Sequence, residues 1–246
     1  MKYLLNILFG FYLLSNLGFS ADLIKGLDAA KSGDFATAIK EWRPLAEQGN
    51  ELAQLYMGEI YDHEDGYGVV TQDYEEAFKW YLLSAEQGNE EAQFNVGNMY
   101  YKGEGVDKNN SEATKWTILS AKQGYITAQY NLGWRYAHGK GVTENDLEAI
   151  KWYTLAANQG NSDAQFNLGQ MYRLGEGIKI DNKKAVKFYL LAAKQGDVKS
   201  QFNLAEMYRL GLGVKQDNKE AIKWYRAAAE QGDENAIHNL RLMEKM

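Results

Sequence analysis

Side chains able to do covalent, acid–base or metal chemistry are few in this chain and stand far apart. The histidines are His63, His138 and His238. A metal site or a proton relay needs such groups to converge, and these fall in three distant segments. Cysteine is absent, which excludes disulfide staples and a lipid anchor on a processed cysteine. No Ser-x-x-Lys, Gly-x-Ser-x-Gly or His-Glu-x-x-His pattern occurs, and these are the spacings that hydrolytic and zinc chemistry use. No catalytic, cofactor-binding or metal-binding residue is assigned, and the chain reads as non-enzymatic. Glycine turns such as Gly139-Lys140-Gly141-Val142 imitate a phosphate cradle. That cradle needs a strand before the turn and a helix start after it, whereas these turns leave a helix.

The elements behind these residues are copies of one phrase. It runs from Ala92-Gln93-Phe94-Asn95-Val96-Gly97 through Tyr100, Gly103-Glu104-Gly105-Val106, Ala113 and Trp116 to Gln123-Gly124, and it returns from Ala128, Ala164 and Ser200. Trp80, Trp116, Trp152, Phe188 and Trp224 fall 36 residues apart. A fixed period of this size marks stacked supersecondary units. In each unit, apolar residues at i, i+4, i+5 and i+8 (Ala128, Leu132, Gly133 and Tyr136) predict a first helix, and a Gly-x-Gly turn follows it. A second helix opens at Asp or Asn and closes at Gln-Gly. Glu76, Glu112, Glu148 and Glu220, each three residues after the cap, fit a capping box, while Lys184 replaces the carboxylate in one unit. Gly58, Gly97, Gly133 and Gly169 recur inside helices, where glycine costs about 1 kcal/mol, so a partner helix is expected to approach too closely for a Cβ. The Trp is expected to fill the seam between repeats, and Asn95, Asn131, Asn167 and Asn203 to fix register.

The full expectation is an all-α solenoid of antiparallel helix pairs. It comprises an atypical N-terminal pair at 22–50, about five repeats of 36–39 residues over 51–235, and a capping helix over 236–246. Repeat one carries an extra Asp62-His63-Glu64-Asp65 segment, read either as a functional loop or as surface drift. Residues 1–20 have the build of a secretory signal peptide: a basic start, an apolar stretch from Tyr3 to Phe19, and small residues before Ala21. Cleavage after Ser20 is favoured over a membrane anchor. It predicts a soluble solenoid over 21–246, periplasmic or secreted, with no stable membrane insertion. The net charge of −6 is spread among interspersed acids and bases, with no basic stripe, so nucleic acid is not a predicted partner.

The pattern Ala-x3-Leu-Gly-x2-Tyr, Gly-x-Gly-Val, Lys-Ala-x2-Trp-Tyr-x2-Ala-Ala-x-Gln-Gly resembles the Sel-one-like repeat (SLR) family, relatives of the tetratricopeptide repeats. Lys151, Trp152, Tyr153, Ala156, Ala157, Gln159 and Gly160 carry its second half, and the likeness covers roughly residues 50–240. The resemblance implies a right-handed superhelix and a protein-binding role as adaptor, regulator or inhibitor. Some exported members act in host interaction, and others resemble immunity proteins against a periplasmic toxin. A cysteine-rich branch is linked to β-lactam handling, from which this cysteine-free chain departs. A β-lactamase-like enzyme and a secreted host-interaction factor stay as the alternatives, and the expected partner is another protein, a toxin effector or an envelope regulator.

The resemblance also implies that first helices line a concave groove. Its candidate partner-binding residues are then Phe94, Asn98, Tyr101, Tyr130, Trp134, Phe166, Arg173, Phe202 and Arg209. An aromatic row ending in arginines is an interface-like composition. Phe94, Tyr130, Phe166 and Phe202 also admit a reading as intramolecular wedges. The variable Tyr101, Trp134, Arg173 and Arg209 carry the binding reading.

Overall fold

The computed structural model describes residues 20–244; the signal-peptide expectation lies outside them, apart from Ser20. Among the described residues every regular element is helical. These are α1 (Ala21–Lys31), α2 (Phe35–Glu47), α3 (Glu51–Asp62), a 3₁₀ turn (Gly66–Gly68), α4 (Tyr74–Glu86), α5 (Glu90–Lys102), α6 (Asn110–Gln123), α7 (Ile126–His138), α8 (Asp146–Asn158), α9 (Ser162–Leu174), α10 (Asn182–Lys194), α11 (Val198–Leu210), α12 (Asn218–Glu230) and α13 (Glu234–Met243). The chain divides into two compact units, Met1–Gln123 and Gly124–Met246. The first holds the pairs α1/α2, α3/α4 and α5/α6. The second holds α7/α8, α9/α10 and α11/α12, followed by α13. This is the all-α repeat solenoid that the period predicts.

From α5 onward each pair forms for the same local reasons, whereas α1 ends at Ser32 and α3 at His63, the latter in extended backbone. The first helix stops at a glycine in the left-handed region, as at Gly139 (φ 61°) and Gly175 (φ 79°), because only glycine enters that region without a Cβ penalty. The second helix starts at a side-chain cap: Asp73, Asn109, Asn145, Asp181 and Asp217 each accept from the backbone N–H three residues on. The capping box does not close. The cap's own N–H donates instead to the carbonyl of the first-helix tyrosine, as in Asp73 to Tyr61, Asn109 to Tyr100, Asn145 to Tyr136, Asp181 to Tyr172 and Asp217 to Tyr208. With that donor satisfied, the box carboxylates turn to lysines three residues on: Glu76 to Lys79, Glu112 to Lys115, Glu148 to Lys151 and Glu220 to Lys223. Lys184 therefore removes no backbone bond from its repeat.

The core of the second unit is a seam of Leu132, Leu168 and Leu204 against alanines such as Ala156 and Ala192, all fully buried. The tyrosine after the repeat tryptophan sits deeper than the tryptophan itself. Tyr153, Tyr189 and Tyr225 are essentially inaccessible, whereas Trp152, Phe188 and Trp224 keep 8–9% of their surface, and Trp80 and Trp116 more. The tyrosine also explains the helical glycines. A Cβ on Gly133 would lie 2.7 Å from the Tyr153 ring, and one on Gly169 2.5 Å from Tyr189. In the first unit Gly58 faces Tyr81 in the same way, and Gly97 faces the Ala113 carbonyl and Thr117.

A glutamine ladder links successive helices. Gln165 is buried and donates to the Ala157 carbonyl at 3.0 Å, while its own amide oxygen accepts from Gln195 at 2.8 Å. The pairs Gln159–Gln129 and Gln231–Gln201 repeat this in the second unit, and Gln87–Gln54 and Gln123–Gln93 in the first. A buried amide with every bond made fixes one register, because any slip leaves it unsatisfied.

Candidate binding groove

In the second unit the predicted row lies along α7, α9 and α11. Tyr130, Phe166 and Phe202 are half-buried. Each leans on the tyrosine of its own repeat: Tyr130 on Tyr153, Phe166 on Tyr189 and Phe202 on Tyr225, with ring centroids 5.8–6.1 Å apart. They pack within a helix pair and keep an accessible flank. Trp134 is half-buried and stacks on His138 at 4.7 Å.

Two open clefts flank α9. The first, about 550 Å³, has Tyr130 and Trp134 as walls and Glu144, Asp146 and Glu176 among its lining, with no lysine or arginine. The second, about 420 Å³, lies beyond α9 and is lined by Arg173, Phe202, Arg209, Leu210 and Leu212, with Asn239 from α13. Its floor is apolar, and Leu210 is 50% exposed.

The two arginines differ. Arg209 makes a bidentate pair with Glu206 and donates to the Tyr225 hydroxyl at 3.3 Å. Glu206 also accepts from the Tyr225 hydroxyl and from Asn239, so its charge and its acceptors are consumed. Arg173 donates its Nε to the Tyr189 hydroxyl at 3.3 Å and, among the described residues, forms no salt bridge of the Arg209–Glu206 kind. Gln170 stands where Glu206 stands in the next repeat.

Two of the four asparagines bond within their own helix, and a third reaches across to its neighbours. Asn131 and Asn203 donate back to Thr127 and Lys199, one turn earlier on their own helices. Asn167 faces the Tyr130 and Tyr153 hydroxyls, both of which burial pushes to higher pKa. The glutamines that link helices recur in the sequence as Ala-Gln and Gln-Gly dipeptides, a pattern that does not itself pair them.

In the first unit Phe94, Asn98 and Tyr101 are half-buried along α5, and Lys108 sits over the Tyr101 ring at 5.6 Å. Of the equivalent positions on α3, Leu55, Glu59 and Asp62, the last two are acidic. Glu59 is held well above the usual carboxylate range by desolvation and by the neighbouring Glu91 and Asp62. Burial likewise raises Asp62, against which Lys102 works. The inserted segment is ordered: His63 and the Tyr67 backbone N–H both meet Asp65, and Tyr67 stacks between Phe35 and His63 at 3.9 Å from each. Tyr67 holds φ at 56°. His63, His138 and His238 lie on α3's C-terminal edge, α7 and α13. Among the described residues no cluster of His, Asp or Glu could hold a metal, and no helix is long and apolar enough to cross a membrane.

The chain matches none of the curated proteins compared with it. Among solved structures it is similar to a protective antigen present in uropathogenic Escherichia coli strains that displays an SLR fold. That likeness has 37% identity and a TM-score of 0.80 and covers 83% of this chain. The chain spans only 43% of the antigen's length. A Sel1 repeat protein from Oxalobacter formigenes is 35% identical with a TM-score of 0.81, and the likeness covers 87% of both chains. The family model for the Sel1 repeat matches five times, at residues 52–89, 90–125, 126–161, 162–197 and 198–233. Sel1 repeat proteins mediate protein–protein interaction. The repeat phrase, the helix pairs and these matches agree that the chain belongs to the Sel1 repeat family.

Proposed function

We propose that this chain is an exported, non-enzymatic binding protein that holds a segment of another protein along α7, α9 and α11 of its second unit, and through that contact acts as an adaptor, regulator or inhibitor in a bacterial envelope. One observation carries the reading. The first-helix face offers two adjacent clefts walled by aromatic side chains and by the Arg173 guanidinium, which is held on the Tyr189 hydroxyl. Aromatic and arginine anchors in concave pockets supply most of the energy of protein recognition. The export half of the proposal rests on the composition of residues 1–20. Ser20 caps α1 by accepting from the Leu23 N–H, so cleavage after it leaves a free amine at the helix start.

The test is capture from cells that export the C-terminally tagged protein under its own leader, beside a Trp134→Ala/Arg173→Ala variant. The mature N-terminus is sequenced in the same preparation. One dominant partner, lost in a variant that still melts cooperatively, is the expected result. A partner retained by the variant overturns the groove assignment, and an uncleaved leader overturns export.

A further inference from the structure

The two clefts carry opposite charge, and this defines the ligand more narrowly than the proposed function, on which the inference rests. Glu144, Asp146 and Glu176 line the cleft walled by Trp134, and no lysine or arginine lines it with them. Beyond α9, Glu206 is taken up by Arg209, while Arg173, held on the Tyr189 hydroxyl, lines the cleft beside the apolar Phe202 and Leu210. An aromatic wall with carboxylates at its rim attracts a cation, through the ring face and through direct pairing. A guanidinium over an apolar floor attracts a carboxylate beside an apolar side chain.

The clefts lie on opposite flanks of one helix, whose body with side chains is about 10 Å across. An extended chain advances about 3.3 Å per residue, so about three residues bridge them. We propose that the second unit recognises an extended segment that carries one basic and one acidic side chain about three residues apart, the basic group against Trp134 and the acidic group on Arg173. Both charges are needed because the first cleft offers only carboxylates as charged anchors and the second offers the Arg173 guanidinium. The spacing then excludes segments with the same composition in another order.

The experiment is selection of a phage-displayed random heptapeptide library on the full-length protein. Selected peptides are then synthesised with a fluorescent label and titrated by anisotropy. The expected outcome is enrichment of Lys or Arg three residues, give or take one, from Asp or Glu. Affinity should fall about tenfold in Arg173→Gln and in Glu176→Gln, as loss of one charge-assisted contact predicts, and stay unchanged in Lys187→Gln on α10. Both groove variants change surface groups, and thermal melts check their folding. Peptides lacking the charge pair, yet lost on Trp134→Ala/Arg173→Ala, overturn the charge-ordered proposal and leave the groove reading standing. Peptides indifferent to that double variant, or no enrichment at all, overturn both.

Discussion

Glu59 is a carboxyl in an unfavourable place. It is desolvated and feels the charges of Glu91 and Asp62, and it in turn acts on the nearby Tyr56 and Tyr81. Burial and like charge raise its pKa well above the ordinary value of 4.5. The folded state therefore binds this proton more tightly than the unfolded chain does. By linkage, its contribution to stability is greatest below the ordinary carboxylate pKa and is lost as pH rises toward the folded-state value. Glu59→Gln removes the penalty. The variant should match the parent near pH 4.5 and gain stability relative to it as pH rises, read from urea midpoints across pH 4.5–8. Parallel curves for the two proteins would show that the charge is solvated in the folded state.

The packing of helix on helix turns on one glycine–tyrosine contact. Gly169 gives its Cβ space to the Tyr189 ring, while Ala205 fills the equivalent place opposite Tyr225 and is fully buried. The last pair has thus settled around a methyl, and the middle pair has not. Gly169→Ala gains about 1 kcal/mol of helix propensity but must push an inaccessible ring aside, which costs about 1–3 kcal/mol in a packed interior. Ala205→Gly loses propensity and opens a small void. Both should be destabilising in guanidinium unfolding, and a stabilised Gly169→Ala would mean that the helices separate freely.

This contact marks how far the sequence could be read. The period, the caps, the left-handed glycines and the close approach at Gly58, Gly133 and Gly169 were legible, because every repeat has the same neighbours and so repeats the same residue at the same register. What the glycines make room for was not. Trp and Tyr adjoin in the sequence, and only the rotation of the second helix decides which of them goes inside. The glutamine ladder was equally hidden, since its partners sit 30 residues apart and nothing in their spacing pairs them. The neutralisation of Arg209 lay in plain view as Glu206, one turn before it. Arg173 is distinguished by Gln170 in that position.

Over the whole molecule, a linear array is only as stable at each point as its neighbours make it. In the second unit α9 buries Ala164, Gln165, Leu168, Gly169, Met171 and Tyr172, while α13 buries Ala236 alone. Its Leu240 and Met243 pack against the core while only partly buried, and its polar holds are Asn239 to Glu206 and Tyr225, with Arg226 to Glu244 just past its end. Local opening should therefore release α13 at a lower free energy than α9, and hydrogen exchange should show its amides among the least protected of the second unit. Asn239 also lines the Arg173 cleft. An occupant of that cleft binds only while α13 is docked, so occupancy must stabilise the docked form by mass action. Saturation with a selected peptide should slow exchange in α13 more than in α9, because α9 opens only with the array. If α13 already matches α9 in protection, or if ligand leaves it unchanged, the end of the array is not part of the site.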